Sequence, residues 1–154
     1  MIYGIDHINI VVADLERSVA FYTEVLGFRK TQEVFMEGEW IESIVGLRGV
    51  TGRVAFVEPA GGGLRIELLQ YVAPEGVKLE ANSVANTRGL RHLAFRVTGI
   101  EAMAARLRAA GVTLFSDPVL VPAGIVTFAA GEKRLLYFLD PDGVILELAE
   151  YGTV

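Results

Sequence analysis

Residues 5–12, IDHINIVV, alternate apolar and polar side chains and are rich in β-branched residues, which predicts a strand. Asp14 then offers a side-chain oxygen for a helix start. Leu15, Val19, Phe21, Tyr22, Val25 and Leu26 follow at helical spacing, and Gly27 closes the run. FRKTQEVFM predicts a second strand, and WIESIVGL reads as a short helix or an ordered loop. RVAFVEPA and LRIELLQYV predict two strands joined as a hairpin through Gly61, Gly62 and Gly63. APEGVKLEANSVANTRG has no apolar period and reads as a linker. The order then restarts. RHLAFRV predicts a strand, and IEAMAARLRAAG a helix ended by Gly111. TLFSDPVLV, GIVTFAAG, KRLLYFLDPDG and VILELAEY predict strands, with Pro141 and Gly143 marking a turn.

The restart is a repeat. With His7 placed on His92, Ile8 falls on Leu93, Ile10 on Phe95, Leu15 on Ile100 and Glu16 on Glu101. With Glu67 placed on Glu147, RIELLQY lies on ILELAEY, and Glu, Leu and Tyr are identical in the two segments. The helix-ending glycines also correspond after one residue of slippage. The chain therefore reads as two tandem units, each a strand, a helix and further strands, packed together or sharing a sheet.

Composition narrows the class of protein. The chain has 154 residues, 52% of them hydrophobic and 21% charged, which suits a globular domain with a real core. A net charge of -5 with scattered basic residues argues against a nucleic-acid partner. The absence of cysteine excludes disulfides, thiolate metal sites and cysteine nucleophiles. Neither a signal peptide nor an apolar run of roughly 18 residues is visible, so a cytoplasmic protein with no membrane contact is expected.

The chemistry concentrates on four residues. His7 and His92, the two histidines of the chain, occupy the same place on the first strand of each unit. Glu67 and Glu147 occupy the same place on the last strand, among leucines and isoleucines. A carboxylate in such a strand is costly to bury unless it is paired, protonated or metal-bound. Taken singly, each residue reads as a satisfied core histidine or a solvent-facing glutamate; recurrence at one repeat position favours a joint role. Two imidazoles and two carboxylates suit zinc, nickel, cobalt, manganese or ferrous iron. An octahedral ion held by four such ligands keeps two adjacent positions for substrate oxygens, suited to polarising a carbonyl. Arg53, Arg65, Arg91, Arg96 and Arg134 are candidates to bind a substrate carboxylate or phosphate, Arg65 foremost because it shares a strand face with Glu67, although each reads first as solvated or ion-paired. Trp40 is a second candidate substrate contact, and Phe35, Phe56, Phe128 and Tyr137 line either a pocket or the core. The three glycines at 61–63 open no helix and so form no phosphate loop.

DHINIVVADLERSVAFYTEVLGF, GLRHLAFRVTGIEAMAARLRAAGV and YFLDPDGVILELAEY resemble the vicinal oxygen chelate superfamily over nearly the whole chain. That superfamily includes glyoxalase I, methylmalonyl-CoA epimerase, extradiol dioxygenases and the bleomycin and fosfomycin resistance proteins. The resemblance implies an α+β fold of tandem βαβββ modules forming an open, cupped, mixed sheet. It implies one domain over 1–154, with module one at 1–75, a linker at 76–89 and module two at 90–154. His7, Glu67, His92 and Glu147 match the metal-ligand positions of the glyoxalase I-like members. It further implies a divalent metal cofactor, a small-molecule substrate and a homodimer. The expected activity is that of a lyase or isomerase moving a proton through a metal-bound enediolate, with Glu147 as the base and Glu67 as the alternative. A sequestering protein of the bleomycin-resistance type and a ring-cleaving dioxygenase are the competing expectations. The central segment MEGEWIESIVGLRGVTG matches neither well-known enzyme and is expected to shape the substrate pocket.

Overall fold

The structure, a computed structural model, describes residues 1–122 and 131–152. The chain divides into two compact units, Met1–Lys78 and Leu79–Val154.

In the first unit the order is β1 (His7–Val11), α1 (Leu15–Ala20), β2 (Arg29–Glu37), α2 (Glu39–Val45), β3 (Thr51–Glu58) and β4 (Arg65–Ala73). Its sheet runs β1-β4-β3-β2, with β1 parallel to β4 and the other neighbours antiparallel. Asp14 caps α1 as its sequence position predicts, accepting a hydrogen bond from the Arg17 amide at 2.9 Å. Beyond Ala20 the helix widens into a π turn over Phe21–Val25. The Thr23 hydroxyl donates to the Val19 carbonyl at 2.8 Å, and such back-bonding competes with the regular ladder. Gly27 then leaves the helix at φ 78°, in the left-handed region that favours glycine. WIESIVGL resolves in favour of the helix: α2 inserts between β2 and β3 and gives this unit one element more than βαβββ. Beneath it Met36, Ile41, Val50, Val54 and Leu69 form an apolar cluster, with Phe56 and Tyr71 packed at its margin. On the other sheet face, Leu15, Ile66 and Leu68 are fully buried.

The second unit runs β5 (His92–Arg96), α3 (Ile100–Ala109), β6 (Val119–Leu120), β7 (Lys133–Leu139) and β8 (Ile145–Tyr151). Its sheet order is β5-β8-β7-β6, again with one parallel pair, β5 and β8. Each unit therefore builds its own open, mixed, four-stranded sheet. Ile100, Ala104 and Leu107 of α3 are buried, as are Leu146, Leu148, Leu136 and Phe138 of the sheet. The DPDG turn forms as predicted: Asp140 accepts from the amides of Asp142 at 2.9 Å and Val144 at 2.8 Å. The strand expected over TLFSDPVLV forms in two pieces along β7. Leu114 bridges Phe138, with the Leu139 amide donating to the Thr113 carbonyl at 3.0 Å and the Phe115 amide to the Tyr137 carbonyl at 2.9 Å; Val119–Leu120 then pair with β7, and the Val121 amide donates to the Lys133 carbonyl at 2.8 Å. Ser116, Asp117 and Pro118 interrupt the ladder, to which Pro118 has no amide hydrogen to give. The strand expected over GIVTFAAG, and Phe128 within it, lie outside the described residues.

The repeat extends to contacts that fix each helix on its sheet. Gln70 accepts from the Leu15 amide at 3.1 Å, and its counterpart Glu150 accepts from the Ile100 amide at 3.3 Å and from the Gly99 amide. Arg53 pairs with Glu16, and Arg134 pairs with the equivalent Glu101 at 3.2 Å. These side chains satisfy helix-start amides and tie strand to helix, so Arg53 and Arg134 take the ion-paired reading.

Candidate functional site

Residues paired across strands place their side chains on one face of a sheet, so register shows which groups meet. In the first unit Glu67 is in register with Asn9 on one side and Phe56 on the other. His7 lies two residues from Asn9 on β1 and therefore shares this face. The His7 Nε2 stands 3.4 Å from Glu67 Oε2, and the Asn9 amide donates to that same oxygen at 2.8 Å. The other ring nitrogen of His7, Nδ1, meets Asp6 Oδ2 at 2.7 Å. Arg65 donates to the same Asp6 oxygen at 2.7 Å and lies 5.2 Å above the Phe56 ring. Phe56 presents its ring edge-on to His7, with centroids 5.9 Å apart. The hydrogen bond from His7 and the charge of Arg65 hold the Asp6 carboxyl below the ordinary carboxylate range.

The second unit repeats the pair and changes its surroundings. Glu147 is in register with Ala94 and Tyr137, and His92 lies two residues from Ala94. His92 Nε2 stands 3.2 Å from Glu147 Oε2. The Glu147 side chain is 6% exposed, against 18% for Glu67. Lys133 brings its Nζ to 3.7 Å from Glu147 Oε1. Tyr137, the counterpart of Phe56, is in register with Glu147, and its ring centroid lies 5.0 Å from that of His92. Burial first, and the Glu147 charge second, push the Tyr137 hydroxyl above its ordinary pKa.

Each unit thus brings one predicted histidine to one predicted glutamate. Among the described residues no group of three or more His, Asp or Glu side chains converges as a metal cluster, so a pair is what each unit presents by itself. Of the predicted substrate contacts, Arg65 does lie on the Glu67 face, committed to Asp6. Trp40 sits on α2 and is 56% exposed, whereas Ile41 beside it enters the apolar cluster. Asp6, Asn9 and Lys133 were not singled out from the sequence. Their signal is cross-strand register, which one strand read alone does not carry. Setting the two units side by side shows only that these positions differ, since Asp6 falls on Arg91 and Asn9 on Ala94.

With the fold in view, the comparisons with known proteins give the family. The chain belongs to the Glyoxalase/Bleomycin resistance protein/Dioxygenase superfamily, whose family model matches residues 4–148. A 2-epi-5-epi-valiolone epimerase from Actinomyces is 33% identical over 150 residues, covering 94% of this chain and 78% of that protein. A lactoylglutathione lyase from Schizosaccharomyces pombe is 30% identical over 153 residues, covering 95% of this chain and 47% of that protein. Among solved structures, a glyoxalase family protein from Bacillus cereus superposes with a TM-score of 0.83 at 25% identity, covering 99% of this chain and 97% of that one.

Proposed function

We propose that this protein is a metal-dependent lyase or isomerase that moves a proton next to the carbonyl of a small carbonyl or thioester compound. The observation that carries the reading is the His–Glu pair recurring at one register position in both units, at 3.4 and 3.2 Å. Two ligands each about 2.1 Å from one ion and about 90° apart stand roughly 3.0 Å from each other, so each pair fits two neighbouring ligand positions. His7, Glu67, His92 and Glu147 are accordingly the proposed ligands of a divalent ion: zinc, nickel, cobalt, manganese or ferrous iron. When bound, that ion supplies polarisation of the substrate carbonyl, which acidifies the neighbouring C–H.

The chain's own residues divide the remaining work. Asp6 fixes the His7 ring, so that Nε2 is the nitrogen presented towards Glu67. Asn9 holds the Glu67 oxygen that faces His7, which suits Glu67 to a fixed ligand role. Glu147 is the proposed base. Lys133 offers the Glu147 Oε1 a positive charge at 3.7 Å, away from the oxygen that faces His92, and so can steady the carboxylate while it takes and returns a proton. The names of the epimerase and lyase relatives support proton transfer as the reaction class. The same reading takes residues 1–75 and 90–154 as modules of one domain, joined by 76–89, working as a homodimer in the cytoplasm. Among the described residues no helix is long and apolar enough to cross a membrane.

The test is elemental analysis of protein purified without chelator, followed by a solvent-deuterium exchange screen over carbonyl compounds and thioesters. The expected result is a stoichiometric divalent metal and metal-dependent exchange at the carbon beside a carbonyl. Failure to retain or take up any divalent metal would refute the reading, and metal binding without exchange on any compound would turn it into a sequestering role.

A further inference from the structure

One end of the β5-β8-β7 face carries charge that the repeat does not require. Arg96 places its guanidinium 5.0 Å from the Tyr151 ring centroid, and Lys133 places its Nζ 5.5 Å from the same centroid. The Lys133 side chain is only 15% exposed, and its Nζ also stands 3.7 Å from Glu147 Oε1. The two cations therefore share one aromatic platform, and one of them reaches from it to the proposed base. The strand residues on this face carry two cations, Arg96 and Lys133, against a single carboxylate, Glu147.

The first unit supplies an internal control. Tyr71 occupies the place of Tyr151, and it is in register with Gly52 where Tyr151 is in register with Lys133. Val11, in register with Leu69, stands where Arg96 is in register with Ala149. Here the spot is uncharged and closely filled. A Cβ added to Gly52 would lie 3.2 Å from a Leu69 methyl, 3.3 Å from the Gln70 carbonyl oxygen and 3.5 Å from the Met36 methyl. A βαβββ sheet of this design thus closes without any cation at these positions. Lys133, largely buried, is held between Glu147 and the Tyr151 ring, whereas Arg96 on the same platform is exposed.

We propose that Arg96 and Lys133, backed by Tyr151, bind an oxyanion carried by the substrate, so that this protein acts on anionic carbonyl compounds in preference to neutral ones. The inference rests on the proton-transfer reading for the carbonyl; the charge preference is measured separately. Arg96 offers a planar fork of N–H donors, and Lys133 a point charge beside Glu147, which together suit a carboxylate or a phosphate placed near the carbon that loses its proton.

The experiment is calorimetric titration of two matched probe pairs: pyruvate against methyl pyruvate, and dihydroxyacetone phosphate against dihydroxyacetone. It is run on metal-free and on manganese-loaded protein. At least tenfold tighter binding of the charged member of one pair is expected, and which pair shows it distinguishes carboxylate from phosphate. Arg96→Gln is expected to remove most of that preference and to leave manganese uptake unchanged; Lys133→Met is expected to weaken it independently, with circular dichroism confirming that both variants fold. Equal binding of charged and neutral members in both pairs, no binding of any probe, or a preference that survives both substitutions would overturn the proposal. Absence of manganese uptake by the wild type, with the charge preference intact, would instead overturn the metal-centre reading alone.

Discussion

The two His–Glu pairs have nearly the same separation and nearly opposite support. In the first unit the histidine is braced: Asp6 holds Nδ1, and Asn9 holds the glutamate oxygen facing the ring. In the second unit the glutamate is attended instead: it is more deeply buried, with Tyr137 and Lys133 reaching it from β7. Arg91 stands where Asp6 stands, and Ala94 where Asn9 stands, so neither brace can form there. A repeated scaffold has kept the donor atoms and exchanged their neighbours. Under the proposed ligand roles, the pair of the first unit is the fixed one and that of the second holds the carboxylate whose partners let it handle a proton.

That division is open to direct attack. Glu147→Gln is expected to reduce proton exchange by about 10²–10⁴-fold, the usual worth of a positioned base, whereas Glu67→Gln acts mainly through lost metal affinity. Exchange rates at saturating metal compare the two, and a greater loss in the Glu67 variant would reverse the assignment. The scaffold beneath is expected to be symmetric. Leu68 and its repeat partner Leu148 are both fully buried, and each Leu→Ala change is expected to cost about 2–5 kcal/mol in urea unfolding. Asp6→Ala is expected to weaken metal binding by about 10–100-fold, as loss of a carboxylate behind a ligand histidine does, while Arg91→Ala leaves it much less affected. Asn9→Ala is expected to weaken binding by roughly threefold to tenfold, the size of one net hydrogen bond.

The smallest expected effect is a titration. A hydroxyl with a raised pKa keeps its proton longer in the folded than in the unfolded chain, so its contribution to stability is complete below the ordinary value of 10.0 and falls as pH rises beyond it. Tyr137→Phe is expected to remove one late-titrating tyrosine from the alkaline absorbance titration of the metal-free protein. An unchanged titration would show that burial and Glu147 do not act on this hydroxyl.

Much of this arrangement was legible before any coordinates. Alternation located β1, β4, β5 and β8, and the repeat placed His7, Glu67, His92 and Glu147 at matched positions. The physical reason is that strand side chains have a strict period of two, and a duplicated unit reads twice. The supports were not legible. Lys133 reaches Glu147 from a neighbouring strand, and Asn9 meets Glu67 across 58 residues of sequence; both contacts depend on register between strands. The segment WIESIVGL was ambiguous because seven helical residues carry too little periodicity to separate helix from loop, and it is burial of Ile41 on the sheet that decides it. The strand read into TLFSDPVLV had the right propensities, but it meets β7 in two pieces because the ladder breaks over Ser116, Asp117 and Pro118.

The central claim is that each unit supplies one imidazole and one carboxylate to a divalent metal centre. Titration of manganese or zinc into the metal-free protein, its His7→Ala and His92→Ala variants and the double variant tests it most directly. One metal per chain in the wild type, with affinity reduced by each single change and binding abolished in the double, is the predicted result. Undiminished affinity in the His92→Ala protein would contradict it.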